Sequence, residues 1–156
     1  MVVEMREFDR PIGAREVRPV PRRDPREDFD GNSETRVPLL LLLDTSSSME
    51  QLIEQLTNGT RTLTETIAEH SLAAKRAEVA IITFGGGVYL AQEIATVDRT
   101  NIPKLSADGT TPMASAILRG LQYLEERQKE YRTHRVASHP PFVFLLADGE
   151  PTDTDL

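Results

Sequence analysis

Two hydrophobic rhythms alternate along the chain. Val37-Pro-Leu-Leu-Leu-Leu-Leu-Asp44 and Pro141–Ala147 are short, continuous apolar runs, and Ala77-Glu-Val-Ala-Ile-Ile-Thr-Phe84 is largely apolar. They lack the alternation of a sheet with one wet face, and so predict strands buried on both faces, as in a parallel sheet. Residues 49–70 carry Leu52, Leu56, Leu63 and Ile67 at helical spacing, with Glu50 and Glu54 near the start, where the helix dipole favours acids. This helix is rich in Thr, so packing rather than intrinsic propensity must hold it. A second helix is predicted to open at Thr111-Pro112, with Thr as N-cap and Pro at the first helical position. Met113, Ile117, Leu121 and Leu124 form its apolar stripe, and the charged run Glu125 to Arg135 reads as its exposed end. Gly85-Gly-Gly87, then Val88-Tyr-Leu90 with its continuation to Val97, predicts a turn, a hairpin and a small antiparallel edge strand. The resulting order, strand–helix–strand–hairpin–helix–strand, is that of an α/β fold with a mainly parallel sheet.

Residues 1–36 follow neither rhythm. They carry Pro11, Pro19, Pro21 and Pro25 and mix Arg with acids throughout. Such a stretch buries too little apolar surface to offset its ordering entropy, so it is expected to be an extended or disordered tail preceding a domain over 37–156.

Composition narrows the function. The 156 residues hold 18 Lys+Arg against 25 Asp+Glu, a net charge of −7, which argues against a sequence-independent nucleic-acid binder. There is no Cys, which removes disulfides, thiolate metal sites and cysteine nucleophiles, and His70, His134 and His139 lack zinc-protease spacing. The N-terminus has no apolar signal core, and the longest greasy run, Val37–Leu43, falls far short of the roughly 18 residues a spanning helix needs. No membrane association is expected, and the cytoplasm is the default location.

Two buried strands end near an aspartate, Asp44 and Asp148. In open parallel sheets ligands sit beyond the carboxyl ends of the strands, where the strand order reverses. If the last strand lies on the far side of the first, the two carboxylates meet there and call for a shared proton or a cation. Ser46 and Ser48, two and four residues after Asp44, and Thr111 in Asp108-Gly-Thr-Thr-Pro-Met113 add hydroxyls. Hard oxygens with few carboxylates suit Mg²⁺, with Mn²⁺ in its place, better than Zn²⁺; Ca²⁺ usually takes more ligands but is kept as an alternative.

In order, Asp44-x-Ser46-x-Ser48, Thr111 in Gly-Thr-Thr-Pro-Met and Asp148-Gly-Glu-Pro resemble the metal-ion-dependent adhesion site of von Willebrand factor type A domains. The string Phe142-Val-Phe-Leu-Leu-Ala-Asp-Gly-Glu-Pro-Thr-Asp153 is most similar to the bacterial TerY-like branch, associated with tellurium resistance and stress operons. The resemblance implies a Rossmann-like three-layer fold and metal coordination by Asp44, Ser46, Ser48, Thr111 and Asp148, some through water. It also implies a last coordination position filled by an acidic side chain of a protein partner. The family's sheet continues beyond the strand that ends near Asp148, so the domain is expected to be C-terminally incomplete after its fourth strand. A bare edge there invites self-association.

The same residues admit other readings. Ser46 and Ser48 alone would read as helix caps. A haloacid-dehalogenase-like phosphatase would use Asp44 as nucleophile, but that reaction needs a second Asp two residues on, where Ser46 stands. No G-x-S-x-G elbow is present, and a non-enzymatic role is expected. Glu150, Asp153 and Asp155 read as a solvated acidic loop.

Overall fold

β1 (Val37–Asp44) is the strand on which the sheet is registered. It pairs in parallel with β2 (Ala77–Phe84) from Val37↔Ala77 to Asp44↔Phe84, and on its other side with β4 (Phe142–Leu146) from Leu39↔Phe142 to Leu43↔Leu146. β3 (Val88–Thr96) returns antiparallel on β2, so the order is β3-β2-β1-β4. The computed structural model describes residues 24–154.

The apolar runs are buried on both faces because a layer of helix covers each face of β1 and β2. Leu40, Leu42, Ile82 and Phe84 pack with Ala116 and Leu124 of α4 (Met113–Thr133). Leu41, Leu43, Val79 and Ile81 pack on the opposite side with Met49 and with Leu56 of α2 (Ile53–Ala68). This is the three-layer α/β/α arrangement the sequence predicts. Leu40 to Leu43 are each at most 2% exposed, and burial of each contributes roughly 2 kcal/mol.

The Thr-rich helix is held as expected. Thr57, Thr60 and Thr64 are buried, and each hydroxyl donates to a carbonyl one turn back, at 2.8 Å in all three cases. The predicted 49–70 helix is divided in fact into a one-turn 3-10 segment (Ser47–Gln51) and α2, followed by a short α3 (Ser71–Arg76). α4 stops where Arg135 takes φ 56° and the Val136 amide donates back to the Tyr131 carbonyl, closing the last turn.

Two expectations change. Residues 24–36 are not an extended tail. They form α1 (Pro25–Phe29), capped by the Asp24 side chain on the Arg26 amide, and lead into Arg36, which is fully buried. Residues 1–23, the rest of that expected tail, lie outside the described residues. The run Glu125–Arg135 is likewise not a simple exposed helix end, because Arg127 and Tyr131 are buried.

A buried charge cluster explains both changes. Glu78 of β2 accepts from Arg36 Nε at 3.1 Å, from Arg127 Nε and Nη2 at 3.1 and 3.0 Å, and from the Tyr131 hydroxyl. Asp28 pairs with Arg127 at 3.1 Å, and Phe29 lies 4.7 Å from that guanidinium, ring centroid to carbon. One buried carboxylate with two guanidiniums needs further negative partners, and Asp28 of α1 and Glu130 of α4 supply them, each on Arg127. Polar grammar in 24–36 therefore encodes a packed segment at the amino ends of β1 and β2, opposite the Asp44 end.

Among the described residues β4 pairs in the sheet with β1 alone, along one edge. Its five residues remain between 42% and 54% exposed, although every one is apolar, so the expectation that this strand is buried on both faces is corrected: the clusters packed on the two faces of β1 and β2 do not extend to it.

Candidate metal centre

Because β2 and β4 flank β1 on opposite sides, the strand order reverses beside β1. Asp44, the last residue of β1, and Asp148, two residues past β4, come to the same end of the sheet. The arrangement the sequence made conditional, with the last strand beyond the first, is present.

Four of the five candidate ligands form a continuous chain of contacts. The Ser46 amide donates to Asp44 Oδ1 at 2.8 Å, turning the backbone back over its own strand end. Ser46 Oγ lies 3.1 Å from Ser48 Oγ, and Ser48 Oγ donates to Asp148 Oδ1 at 2.8 Å. Asp44 is fully buried, and its Oδ2 has no hydrogen-bond partner among the described residues. A buried carboxylate oxygen left without a partner carries a desolvation cost that a cation would relieve. Asp148 and Ser48 are exposed, so the cluster opens to solvent on the β4 side.

The fifth, Thr111, reaches this end through its loop. Gly109 O accepts from the Ser47 amide at 3.0 Å, Thr110 O accepts from the Gly86 amide at 3.0 Å, and the Asp108 amide donates to Thr45 O at 2.8 Å. Thr111 itself is buried. Its hydrogen bonds among the described residues all run through its backbone, so the hydroxyl is not consumed by the scaffold.

Glycine makes this stitching steric as well. A Cβ on Gly85 would collide with the Thr45 carbonyl, and one on Gly109, at φ +75°, would collide with the backbone of Gly86. The glycine run after β2 is thus the predicted turn, with a second task of letting the Asp44–Ser48 loop and the Asp108–Thr111 loop close on it.

The donor set consists of two carboxylates and three hydroxyls, and no group of three or more His, Cys, Asp or Glu suited to a metal occurs among the described residues. Hard oxygens with few charges fit Mg²⁺ or Mn²⁺, water completing the shell. Asp44, Ser46, Ser48, Thr111 and Asp148 are the residues that would hold it. A divalent cation held there, with water in part of its shell, would offer an exchangeable position to a carboxylate arriving from solvent.

Residues beyond this set enter from the loop after Asp148. Asp153 Oδ1 and Oδ2 accept from the Ala114 and Ser115 amides at 2.9 and 2.7 Å, and Thr152 Oγ1 accepts from the Thr111 amide at 3.0 Å. Partial burial raises the Asp153 carboxyl, but the bonds from Ser115 and Ala114 outweigh it and hold the group below its ordinary value. The solvated-loop reading is therefore corrected at Asp153; Glu150 is exposed as expected, and Asp155 lies outside the described residues. The helix start is corrected with it. Pro112 rather than Thr111 is the N-cap, with no side-chain cap bond of its own. No signal in the sequence marked this, because Thr111 offers a cap acceptor of its own.

No helix among the described residues is long and apolar enough to cross a membrane. No curated protein matches the chain significantly. Among solved structures, the crystal structure of proximal thread matrix protein 1 from the mussel byssus is similar, with TM-score 0.48 and 14% identity, over 80% of this chain and 33% of that one. The chain thus spans about a third of that protein's length. The profile of the von Willebrand factor type A domain matches residues 39–150, from the first residue of the β1–β4 register to the loop beyond Asp148. By that match, and in keeping with its three-layer sheet and strand order, this chain belongs to the von Willebrand factor type A domain family.

Proposed function

We propose that the chain is a divalent-metal-dependent protein-interaction module. Its metal is held by Asp44, Ser46, Ser48, Thr111 and Asp148, and its partner presents an acidic side chain to that metal. The single observation that carries this reading is the buried, unpartnered Asp44 Oδ2 at the head of the hydroxyl relay Ser46–Ser48–Asp148. Family membership supports the general role, since these domains commonly mediate protein contacts. Mg²⁺ is the proposed ion, with Mn²⁺ or Ca²⁺ able to replace it.

The chain's own residues do three things in this reading. Asp44 anchors the ion from inside the fold. The serine hydroxyls and Thr111 contribute neutral oxygens, so the five residues add no negative charge beyond that of Asp44 and Asp148. Asp148, on the open side, sets the rim against which an acidic partner group is received. The contact is a carboxylate oxygen on a hard cation, the ligand type such ions prefer.

We further propose that the chain performs no turnover: the position two residues after Asp44 is Ser46, which lacks the acid/base function an aspartyl-phosphate mechanism requires. A cytoplasmic setting in a bacterial stress or tellurium-resistance system is supported by the likeness of the Phe142–Asp153 string. The test is a pull-down from host extract by the wild-type chain and by Asp44→Ala, each with Mg²⁺ or with chelator. A partner retained by wild type with Mg²⁺ alone is the expected result. Equal retention in all four conditions overturns the proposal.

A further inference from the structure

We infer that Thr152 and Asp153 are positioning residues of the metal site, a clasp that fixes Thr111 and the first turn of α4 to the loop carrying Asp148. The inference rests on the function proposed above and extends it to how the fifth ligand is held.

The geometry is reciprocal. Thr152 donates its amide to Thr111 O at 2.9 Å and accepts the Thr111 amide on Oγ1 at 3.0 Å, so Thr111 is held by both of its backbone polar groups. One residue on, Asp153 takes the Ala114 and Ser115 amides with its two carboxylate oxygens. These are among the donors that every helix start leaves without an internal partner, and a cap side chain usually satisfies them. Pro112 stands at the cap position and has no acceptor in its side chain. A carboxylate from 38 or 39 residues away takes that role and is also favoured by the helix dipole.

The consequence is coupling between two ligands that are far apart in sequence. Asp148 contacts Ser48, and four and five residues later the same loop grips Thr111 and α4. Displacing Asp148 from Ser48 therefore displaces the clasp, and freeing the clasp loosens Thr111. A cation that needs both ligands binds only when the two contacts form together.

The test is calorimetric titration of the 156-residue chain with Mn²⁺, paired with amide hydrogen exchange in the metal-free protein. Wild type, Thr152→Val, Asp153→Ala, Asp153→Asn and Thr111→Val are compared, with Asp153→Ala also placed in the Thr111→Val background. Asp153→Ala is expected to weaken Mn²⁺ binding about tenfold, the usual size for residues that orient a metal ligand. It should speed exchange at Ala114 and Ser115 while thermal unfolding stays cooperative. Asp153→Asn, which keeps one acceptor oxygen, should recover part of the affinity. In the Thr111→Val background Asp153→Ala should cost little more. Wild-type affinity in both Thr152→Val and Asp153→Ala overturns the inference, as does a loss that persists in full without the Thr111 hydroxyl. A wild-type chain that takes no Mn²⁺ overturns the metal reading instead. The clasp then stands or falls on exchange alone: slow amides at Ala114 and Ser115 freed by Asp153→Ala support it, and amides already fast in wild type end it.

Discussion

Ser48 donates its hydroxyl hydrogen to Asp148 at 2.8 Å, joining the loop after β1 to the loop after β4 across 100 residues of sequence. The contact exists because β4 lies beside β1 on the side away from β2. It is the link that turns two separate strand ends into one cluster of oxygens. The other end of the sheet is closed by a different device, the Glu78 cluster, so α4 is tied down at both ends: by Asp153 at its start and through Arg127 near its finish.

Glu78 is expected to be the most damaging single position outside the apolar core. Removing it leaves the buried Arg36 with backbone carbonyls alone and takes from Arg127 one of its carboxylate partners, and breaking a buried pair in this way costs about 3–5 kcal/mol. A domain of this size commonly has roughly 5–15 kcal/mol in total. Urea unfolding of Glu78→Ala should show most of the native baseline lost. A midpoint close to that of wild type would mean that the cluster is not what holds α1 and α4 to the sheet.

High pH should expose the same cluster. Burial, then the nearby Glu78 charge, raises the Tyr131 phenol above its ordinary 10.0, and burial does the same for Tyr123, whose oxygen accepts from the Ile94 amide. A raised pKa means that the fold holds the neutral form. The stabilisation is complete below about pH 10 and is lost as pH climbs beyond it. Phenolate absorbance from these two residues should therefore appear together with alkaline unfolding, and Tyr123→Phe and Tyr131→Phe should each diminish that step. Titration of either phenol in a still-folded protein would contradict the burial of these rings.

Two glycines should respond with opposite sign. Gly59 lies inside α2 with nothing within 4 Å of the position a methyl would take, so Gly59→Ala should stabilise by about 0.5–1 kcal/mol. Gly85→Ala drives a methyl into the Thr45 backbone and should destabilise by about 1–3 kcal/mol. Thermal melts of the two variants give the comparison, and a harmless Gly85→Ala would show that the loops are not closed on one another.

The exposed apolar residues of β4 should make this chain self-associate. Phe142, Phe144 and Leu146 stay more than 40% exposed, on a strand that, among the described residues, is paired along one edge only. An open, apolar strand edge templates association. Sedimentation velocity should show mass rising with concentration, and Phe144→Lys should reduce it. A single monomeric species over the whole range would contradict this.

Much of this architecture was legible in the apolar runs, because a strand buried on both faces leaves no alternation and Val37–Leu43 and Ala77–Phe84 have none. Asp44, Ser46, Ser48 and Asp148 were legible too, since strand order alone brings them together. What stayed hidden was long-range charge pairing. Arg36 and Arg127 look like solvated residues in their own neighbourhoods, Glu78 sits in a strand read as buried, and only the fold shows that they meet. Asp153 was hidden for the same reason: its partners are the amides of α4, and backbone donors leave no mark in sequence.

The central claim is that Asp44 anchors a divalent cation. Its most direct measurement is calorimetric titration of the wild-type chain and of Asp44→Ala with Mg²⁺ and with Mn²⁺, after exhaustive chelation. Saturable one-site binding in wild type that disappears in Asp44→Ala, while the variant still unfolds cooperatively, is the result predicted. Equal binding in the two proteins, or none in wild type, would contradict it.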